Sequence, residues 1–298
     1  MQYMQVPSQV EYERATSVEH ALSLLSRPDA RVVAGGHSLI PMMKLRLALP
    51  EMLVDINGLA ELAYIRLAGD QLCIGALARH ADLLDSAVAG RHFPIFHDAE
   101  RVVADPIVRL WGTIGGSLCQ ADPSEDLSAA FAAARATAVI RGQDGDRVVP
   151  VREFHRGPYE TVIGPGELLA EIRVPVQPGT GSAYEKVARR AGDWSVAAAG
   201  AVLRLSGKPL VIDSAGLGLT AVGAEHFVAA EAERFLVGRP ADEESFTAAG
   251  AIAAGHCHPV ADQRGPQDYK RHLVAELTAR SLRRACSRAS RARAGRPS

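Results

Sequence analysis

Two glycine pairs are the residues of this 298-residue chain whose type and spacing most directly suggest chemistry. Gly35–Gly36 follows an apolar segment and precedes Ser38, and Gly115–Gly116 lies between Thr113 and Ser117. Paired glycines let the backbone approach a phosphate closely and turn successive N–H groups toward it. One such pair is more often an ordinary turn, but two pairs with matching hydroxyl neighbours fit a diphosphate held from two sides.

The other motifs give weaker indications of a binding site. Neither glycine pair belongs to a GxGxxG or a GxxxxGK[ST] pattern. Gly216-Leu-Gly218 loosely matches the dinucleotide fingerprint, but its acidic residues fall within a helical pattern and not at the end of a second strand, which favours a structural role. His256–His258 offers ligands at adjacent positions, which rarely converge on one metal. We therefore predict no metal site and no catalytic side chain on this chain.

Asp126 lies ten residues beyond Gly116, at the predicted start of a helix. Its carboxylate could accept backbone N–H groups as a helix cap, or hydrogen bonds from ribose or ribityl hydroxyls. From the residues alone, the cap is the favoured interpretation.

Composition restricts the class of protein. Hydrophobic residues make up 47% and charged residues 22%, as is typical of a globular chain. A formal net charge of -1 argues against a general nucleic-acid binder. The 4 cysteines are far apart and indicate reduced thiols. Neither a secretory signal nor an apolar run long enough to span a bilayer is visible, so we expect a cytoplasmic protein.

The pattern of apolar residues predicts a mixed α and β chain with several domains. We place boundaries to give residues 1–56, 57–177 and 178–286, because Pro and Gly cluster between residues 175 and 181. Residues 287–298 contain only Arg, Ser, Ala, Gly and Pro, and we predict a disordered tail there. Removal of the chain after Cys286 should then leave cofactor binding intact.

Several segments together resemble a known family. Residues 34–44, residues 113–126 and residues 159–169 look like the FAD-binding medium subunit of the molybdenum hydroxylases, which include aerobic carbon monoxide dehydrogenase and multi-subunit xanthine dehydrogenases. The resemblance covers nearly the whole chain. It implies an α+β fold, in which two α/β FAD-binding subdomains similar to vanillyl-alcohol oxidase (residues 1–56 and 57–177) precede a smaller α+β C-terminal domain (residues 178–286).

The same resemblance implies which residues hold FAD. The two glycine loops would hold the pyrophosphate, Asp126 the sugar portion, Lys186 would lie near the isoalloxazine, and Trp194 would lie over the ring face. Leu168 is a further candidate. The complete candidate set is Ala34, Gly35, Gly36, His37, Ser38, Thr113, Ile114, Gly115, Gly116, Ser117, Asp126, Leu168, Lys186 and Trp194.

By resemblance, the chain is the flavoprotein, electron-transfer subunit of an oxidoreductase complex. A large molybdenum–pterin subunit oxidises the substrate, a small subunit with two [2Fe–2S] clusters relays the electrons, and this FAD passes them to an external acceptor. The family's habit is a dimer of heterotrimers. Carbon monoxide, aldehydes and N-heterocycles remain open as substrates, and quinone, NAD and oxygen as acceptors.

Two alternatives belong to other classes of protein. One is a self-sufficient FAD-dependent reductase or oxidase of the same fold, similar to UDP-N-acetylenolpyruvoylglucosamine reductase. The other is a non-catalytic nucleotide-binding module whose flavin site has lapsed. Flavin content separates the second from the rest, and co-purifying iron and molybdenum separate the first from the complex.

Overall fold

The structure is a computed structural model that describes residues 6–294. The strands are β1 (Glu11–Arg14), β2 (Ala30–Val33), β3 (Met52–Asp55), β4 (Ile65–Ala68), β5 (Gln71–Gly75), β6 (Thr137–Gly142), β7 (Gly145–Pro150), β8 (His155–Gly157), β9 (Glu160–Thr161), β10 (Leu168–Pro175), β11 (Thr180–Val187), β12 (Ala197–Ser206) and β13 (Val211–Thr220). The helices are α1 (Val18–Leu25), α2 (Leu39–Lys44), α3 (His80–Asp85), α4 (Ala87–His92), α5 (Pro94–Glu100), α6 (Pro106–Trp111), α7 (Ile114–Gln120), α8 (Leu127–Ala133), α9 (Ala230–Leu236), α10 (Glu243–Gly255) and α11 (Gln267–Ala294).

The first unit is a parallel sheet in the order β1-β3-β2 with α1 packed on it. Ser17 caps α1 by accepting the N–H of His20 at 3.1 Å. The apolar residues recur at helical spacing and form the buried face of α1, namely Val18, Ala21, Leu22 and Leu25. The first glycine loop leaves this sheet at the carboxyl end of β2.

The second unit is an antiparallel sheet in the order β4-β5-β10-β6-β7, whose core is shared with helices α3, α4, α5, α7 and α8. Its core includes Phe96 and Phe131, whose ring centroids lie 4.7 Å apart. The second glycine loop begins α7 next to the end of β5, because the N–H of Gly115 donates to the carbonyl of Ala76 at 2.9 Å. Both glycine loops are thus positioned by strand ends.

The third unit is an antiparallel sheet in the order β11-β12-β13, covered on one face by α9 and α11, against which α10 packs. On its other face, α8 lies so close that a Cβ on Gly218 would stand 2.6 Å from the carbonyl carbon of Ala129. Gly216 faces the carbonyl of Ala133 in the same way. Gly216 and Gly218 therefore allow α8 to pack closely on the sheet, which agrees with the structural role predicted for the Gly216-Leu-Gly218 motif.

The prediction of a disordered tail from Ser287 is wrong for residues 287–294, because α11 continues to Ala294. Residues 295–298 lie outside the described part of the chain. Ala285 and Ala289 are buried one turn apart, and their backbones occupy the place where a Cβ of Gly181 would be. Spacing of small residues thus holds this part of α11 against β11, and Arg284 and Arg288 of the same helix donate to β11 carbonyls.

Within residues 6–294, no helix combines the length and the apolar character needed to cross a bilayer.

Candidate cofactor site

The first glycine loop is in direct contact with the segment that leads into the second. A Cβ on Gly35 would overlap the carbonyl oxygen of Trp111 and would lie 2.8 Å from the Cα of Gly112. Gly35 is therefore required for the packing of one loop on the segment that leads into the other. Sequence reasoning attributed this glycine to approach by a phosphate; in the structure, its missing Cβ makes room for protein backbone.

A side-chain bridge that sequence reasoning missed joins the same two segments. Arg79 donates to Asn57 Oδ1 at 2.9 Å and also to the carbonyl of Trp111. Asn57 in turn donates from Nδ2 to the carbonyl of Ala34 at 2.7 Å. Because arginine and asparagine are common on protein surfaces, nothing in their spacing marked them. Together they hold the carbonyl of Ala34, where the first loop begins, and the carbonyl of Trp111, before the second loop.

The first loop presents a row of free donors. The backbone N–H groups of residues 35–39 donate to no acceptor within the described range 6–294. Gly36 has φ of +71°, which turns the chain at this point. The ring Nδ1 of His37 lies 2.8 Å from the carbonyl oxygen of Gly35. Consecutive N–H groups of this kind form an anion-binding nest.

The second loop differs from the first in its donors. The N–H groups of Ile114 and Gly115 donate at 2.9 Å to carbonyls that follow β5, and those of Gly116 and Ser117 donate at 3.0 Å to Thr113. Its backbone donors are thus already engaged, although Gly116 itself is exposed. The two loops are not equivalent. The first offers free N–H groups to a ligand, whereas the second offers the exposed backbone of Gly116, which a ligand can approach because no side chain covers it.

Glu125, and not Asp126, caps helix α8. Its carboxylate accepts the N–H of Leu127 at 2.9 Å and of Ser128 at 2.5 Å, and the hydroxyl of Ser117 at 2.9 Å. The expectation of a cap at Asp126 is wrong, because Asp126 already has helical dihedral angles and its side chain makes no cap bond. Glu125 is a buried carboxylate that ties the second loop to α8.

Asp126 lies instead at the centre of a buried polar cluster. Its Oδ1 accepts the hydroxyls of Tyr184 and Ser195, both at 2.8 Å, and its Oδ2 lies 2.7 Å from Lys186 Nζ. The exposed fractions of the Lys186 and Asp126 side chains are 4% and 6%. Burial and the Asp126 charge raise the pKa of Tyr184 well above 10, so its phenol remains a donor.

Lys186 and the connection that carries Trp194 both contact the segment that precedes α6 and the second loop. Lys186 Nζ also donates to the carbonyl of Val102 at 3.1 Å. Trp194 is half-exposed in the β11–β12 connection. There Gly192, with φ of +75°, packs so closely that a Cβ would lie 3.0 Å from the carbonyl oxygen of Ala104. This connection therefore leans against the segment that leads to α6.

Leu168 stands apart from the other candidates. Its side chain is buried in the core of the first unit, in the cluster that also holds Val54 and packs against Ala34. Any contact of Leu168 with a cofactor would have to come from its backbone.

A buried His–Glu pair packs against Gly112, just before the second loop. Sequence reasoning did not find this pair. His80 Nδ1 lies 3.0 Å from Glu100 Oε1, and both side chains are buried. A Cβ on Gly112 would stand 2.8 Å from the His80 ring. Burial works against the imidazolium, but the charge and hydrogen bond of Glu100 prevail and raise the pKa of His80.

These residues fit a diphosphate-containing cofactor with a planar ring. The free N–H groups suit the diphosphate, the loops leave no room for added Cβ atoms, and a lysine and a half-exposed tryptophan lie beyond them. No group of three or more His, Cys, Asp or Glu side chains in residues 6–294 could hold a metal ion. The fold and site define a flavin-nucleotide-binding protein with an added C-terminal domain.

Comparison with known families agrees with this class. Residues 8–177 match the FAD binding domain in molybdopterin dehydrogenase, and residues 182–285 match the CO dehydrogenase flavoprotein C-terminal domain. The chain belongs to the family of FAD-binding medium subunits of molybdenum hydroxylases. The predicted family, fold class, cofactor and oxidoreductase class are thereby confirmed.

Individual relatives match along nearly their whole length. The chain is 40% identical to the carbon monoxide dehydrogenase medium chain of Afipia carboxidovorans, over 95% of this chain and 99% of that one. It is 35% identical to the glyceraldehyde dehydrogenase medium chain of Sulfolobus acidocaldarius, over 93% and 98%. A crystal structure of cyanide-inactivated Cu,Mo-CO dehydrogenase superposes with a TM-score of 0.90 at 40% identity, over 95% and 99%.

Proposed function

We propose that this chain takes electrons from [2Fe–2S] clusters on a partner chain and passes them to an external acceptor. When bound, FAD supplies this chemistry, because a flavin exchanges electrons singly or in pairs. The chain's own residues bind and orient it. In this proposal the first loop donates to the diphosphate, the second loop lies against it, and Lys186 and Trp194 lie at the ring.

The observation that carries the proposal is an apolar rim around the two loops. Large apolar side chains on the segments that flank the loops are more than one-third exposed, although such residues are usually buried. The rim consists of Leu45, Leu47, Leu49, Val102, Ile107, Leu110, Trp111 and Trp194. Helix α6 buries none of its residues. Exposed apolar side chains grouped on such segments favour a protein–protein interface, and we assign it to the redox partner.

The charged residues of the site support an electron-transfer role more than an acid–base role. Asp126 has three donors on its two oxygens, and Lys186 is shared between Asp126 and a carbonyl. A group held in this way is poorly placed to exchange a proton with a substrate. The self-sufficient reductase is therefore the less supported alternative.

Partners and surroundings follow from the family. We propose a large molybdenum–pterin chain and a small [2Fe–2S] chain, assembled as a dimer of heterotrimers. Relatives are named for carbon monoxide, glyceraldehyde and caffeine dehydrogenases, so the substrate would be selected on the large chain. All four cysteines are free, which favours the reducing cytoplasm.

The test is to isolate the chain with its native partners and to measure the visible spectrum together with iron and molybdenum per flavin. Flavin with iron–sulfur absorption, molybdenum and two additional chains is the expected result. Flavin on a solitary chain would contradict the proposal and favour the self-sufficient reductase. Absence of flavin would contradict both.

A further inference from the structure

The outer edge of strand β11 is covered by side chains in place of another strand. β11 is an edge strand of its sheet, and the backbone groups of such an edge need partners. Asp98 on α5 accepts the N–H of Tyr184 at 3.2 Å. From α11, Arg288 donates to the carbonyl of Ser182 at 2.6 Å, and Arg284 donates to the carbonyl of Tyr184 at 3.2 Å.

Both arginines also bind Asp98, and we call these three side chains the edge cluster. Arg288 donates to both oxygens of Asp98, at 2.5 and 3.0 Å, and Arg284 donates to Oδ1 at 3.0 Å. The Asp98 side chain is 7% exposed. Charge-assisted, two-pronged bonds of this kind impose a specific geometry as well as attraction. The edge cluster therefore fixes β11 relative to both α5 and α11.

The part of β11 that the edge cluster holds is the part that reaches the cofactor site. Tyr184 is held by its backbone at the edge, while its hydroxyl donates to Asp126. Lys186, two residues further, also binds Asp126. A shift of the strand at Tyr184 would move both donors to Asp126 at once.

The edge cluster is one of several contacts that attach the C-terminal domain to the rest of the chain. Glu233 on α9 accepts Arg152 at 2.6 and 2.9 Å and Arg135 at 3.3 Å at a second place along the interface. Glycine-mediated packing of α8 on β13 adds to it. Loss of the edge cluster would therefore displace β11 without releasing the domain.

We propose that Asp98, Arg284 and Arg288 are positioning residues that hold the Lys186 ammonium in place for bound FAD. The inference rests on the proposed function, since it takes Lys186 as the cation beside the ring. It assigns to the arginines of the presumed tail a role in setting the cofactor's environment.

The experiment compares Arg288→Met and Asp98→Asn with Arg283→Met in the full chain within its complex. Arg283 lies on the same helix and pairs with exposed Glu243, so it is a matched control. Both edge-cluster variants should bind FAD about tenfold more weakly and should show a lower flavin midpoint potential, because the ammonium is displaced. Arg283→Met should change neither quantity. Wild-type affinity and potential in Arg288→Met and Asp98→Asn would overturn the inference.

A double-mutant cycle with Lys186→Met separates positioning from general destabilisation. If Arg288 acts through Lys186, Arg288→Met should shift the flavin potential no further in the Lys186→Met background. Fully additive shifts would overturn the inference. Arg288→Lys, which restores charge without the two-pronged geometry, should recover only part of the affinity. The proposed function fails on a different result, namely a wild-type complex without iron and molybdenum.

Discussion

The ammonium of Lys186 lies 2.7 Å from Asp126 Oδ2, across the interface between the domain that carries both glycine loops and the C-terminal domain. Asp126 immediately precedes α8, and Lys186 lies on β11. A buried ion pair adds little net stability because both charges lose their hydration, but removal of one partner strands the other. The pair therefore determines how the two domains fit together at the site.

Lys186→Met should be strongly destabilising. It leaves the Asp126 carboxylate buried without its cation, which costs about 3–5 kcal/mol in the free energy of unfolding. The same substitution at Arg141, whose pair with Asp146 has side chains 35% and 38% exposed, should cost less than about 1 kcal/mol. Denaturant unfolding of both variants measures the difference. Equal effects would contradict the buried-pair interpretation.

Gly35→Ala should abolish FAD retention. The added methyl would collide with the backbone at Trp111 and push the two loops apart. Gly90→Ala is the control, because a Cβ on this glycine of α4 meets nothing within 4 Å. It should keep its FAD and gain about 0.5–1 kcal/mol of stability. Stoichiometric flavin in the Gly35 variant, measured after gel filtration, would disprove the loop contact.

The His80–Glu100 pair should make stability depend on pH. Because Glu100 raises the folded-state pKa of His80, the pair's contribution is complete below the unfolded value of about 6.5 and is lost as pH rises through the folded value. We expect the difference in unfolding free energy between wild type and Glu100→Gln to narrow from about pH 5 to about pH 9.

Taking that difference leaves the titration of the pair itself, including Glu100, whose own pKa is raised by burial and whose contribution is therefore also lost as pH rises. The other charges that act on His80, Glu125 and Arg109, are present in both proteins, and so is His155, whose pKa is lowered by burial. If the difference in unfolding free energy between wild type and Glu100→Gln grew as pH rises, His80 would not be held as the imidazolium.

The rim residues other than Trp194, which we place at the flavin ring, should be needed for assembly and not for flavin binding. Leu47 is a rim residue and is 70% exposed. Val260 is the control, because it is 71% exposed but lies in the C-terminal domain, outside the rim. Leu47→Ser should keep FAD but recover less iron and molybdenum with the chain, and Val260→Ser should recover both as wild type does. Elemental analysis per flavin gives the result. Equal recovery from both variants would place the partner elsewhere.

Local sequence features predicted the parts of the fold that depend on local chemistry. The Ser17 cap of α1 and the hairpin of β4 and β5 follow from turn and cap residues within a few positions. The glycine pairs likewise marked two loops, and the structure packs the first against the segment that leads into the second. Motif resemblance then supplied the family, which spacing alone could not.

The environment of Asp126 could not be predicted in this way. Its partners Tyr184, Lys186 and Ser195 are 58 to 69 residues distant along the chain. A helix-start acid looks like a cap until those partners are known, and its neighbour Glu125 has the longer reach to the N–H groups. The arginines of α11 were misinterpreted for the same reason, because their acceptors are on distant elements.

The edge cluster also has a consequence for how the protein is made. Asp98 and Arg288 are 190 residues apart in the chain. At typical elongation rates, a ribosome needs roughly 10–40 s to travel from one to the other. During that interval Asp98 and, once synthesised, the open edge of β11 have no arginine partner. Fixing of the β11 edge to α5 and α11 is therefore a late step in the synthesis of the chain.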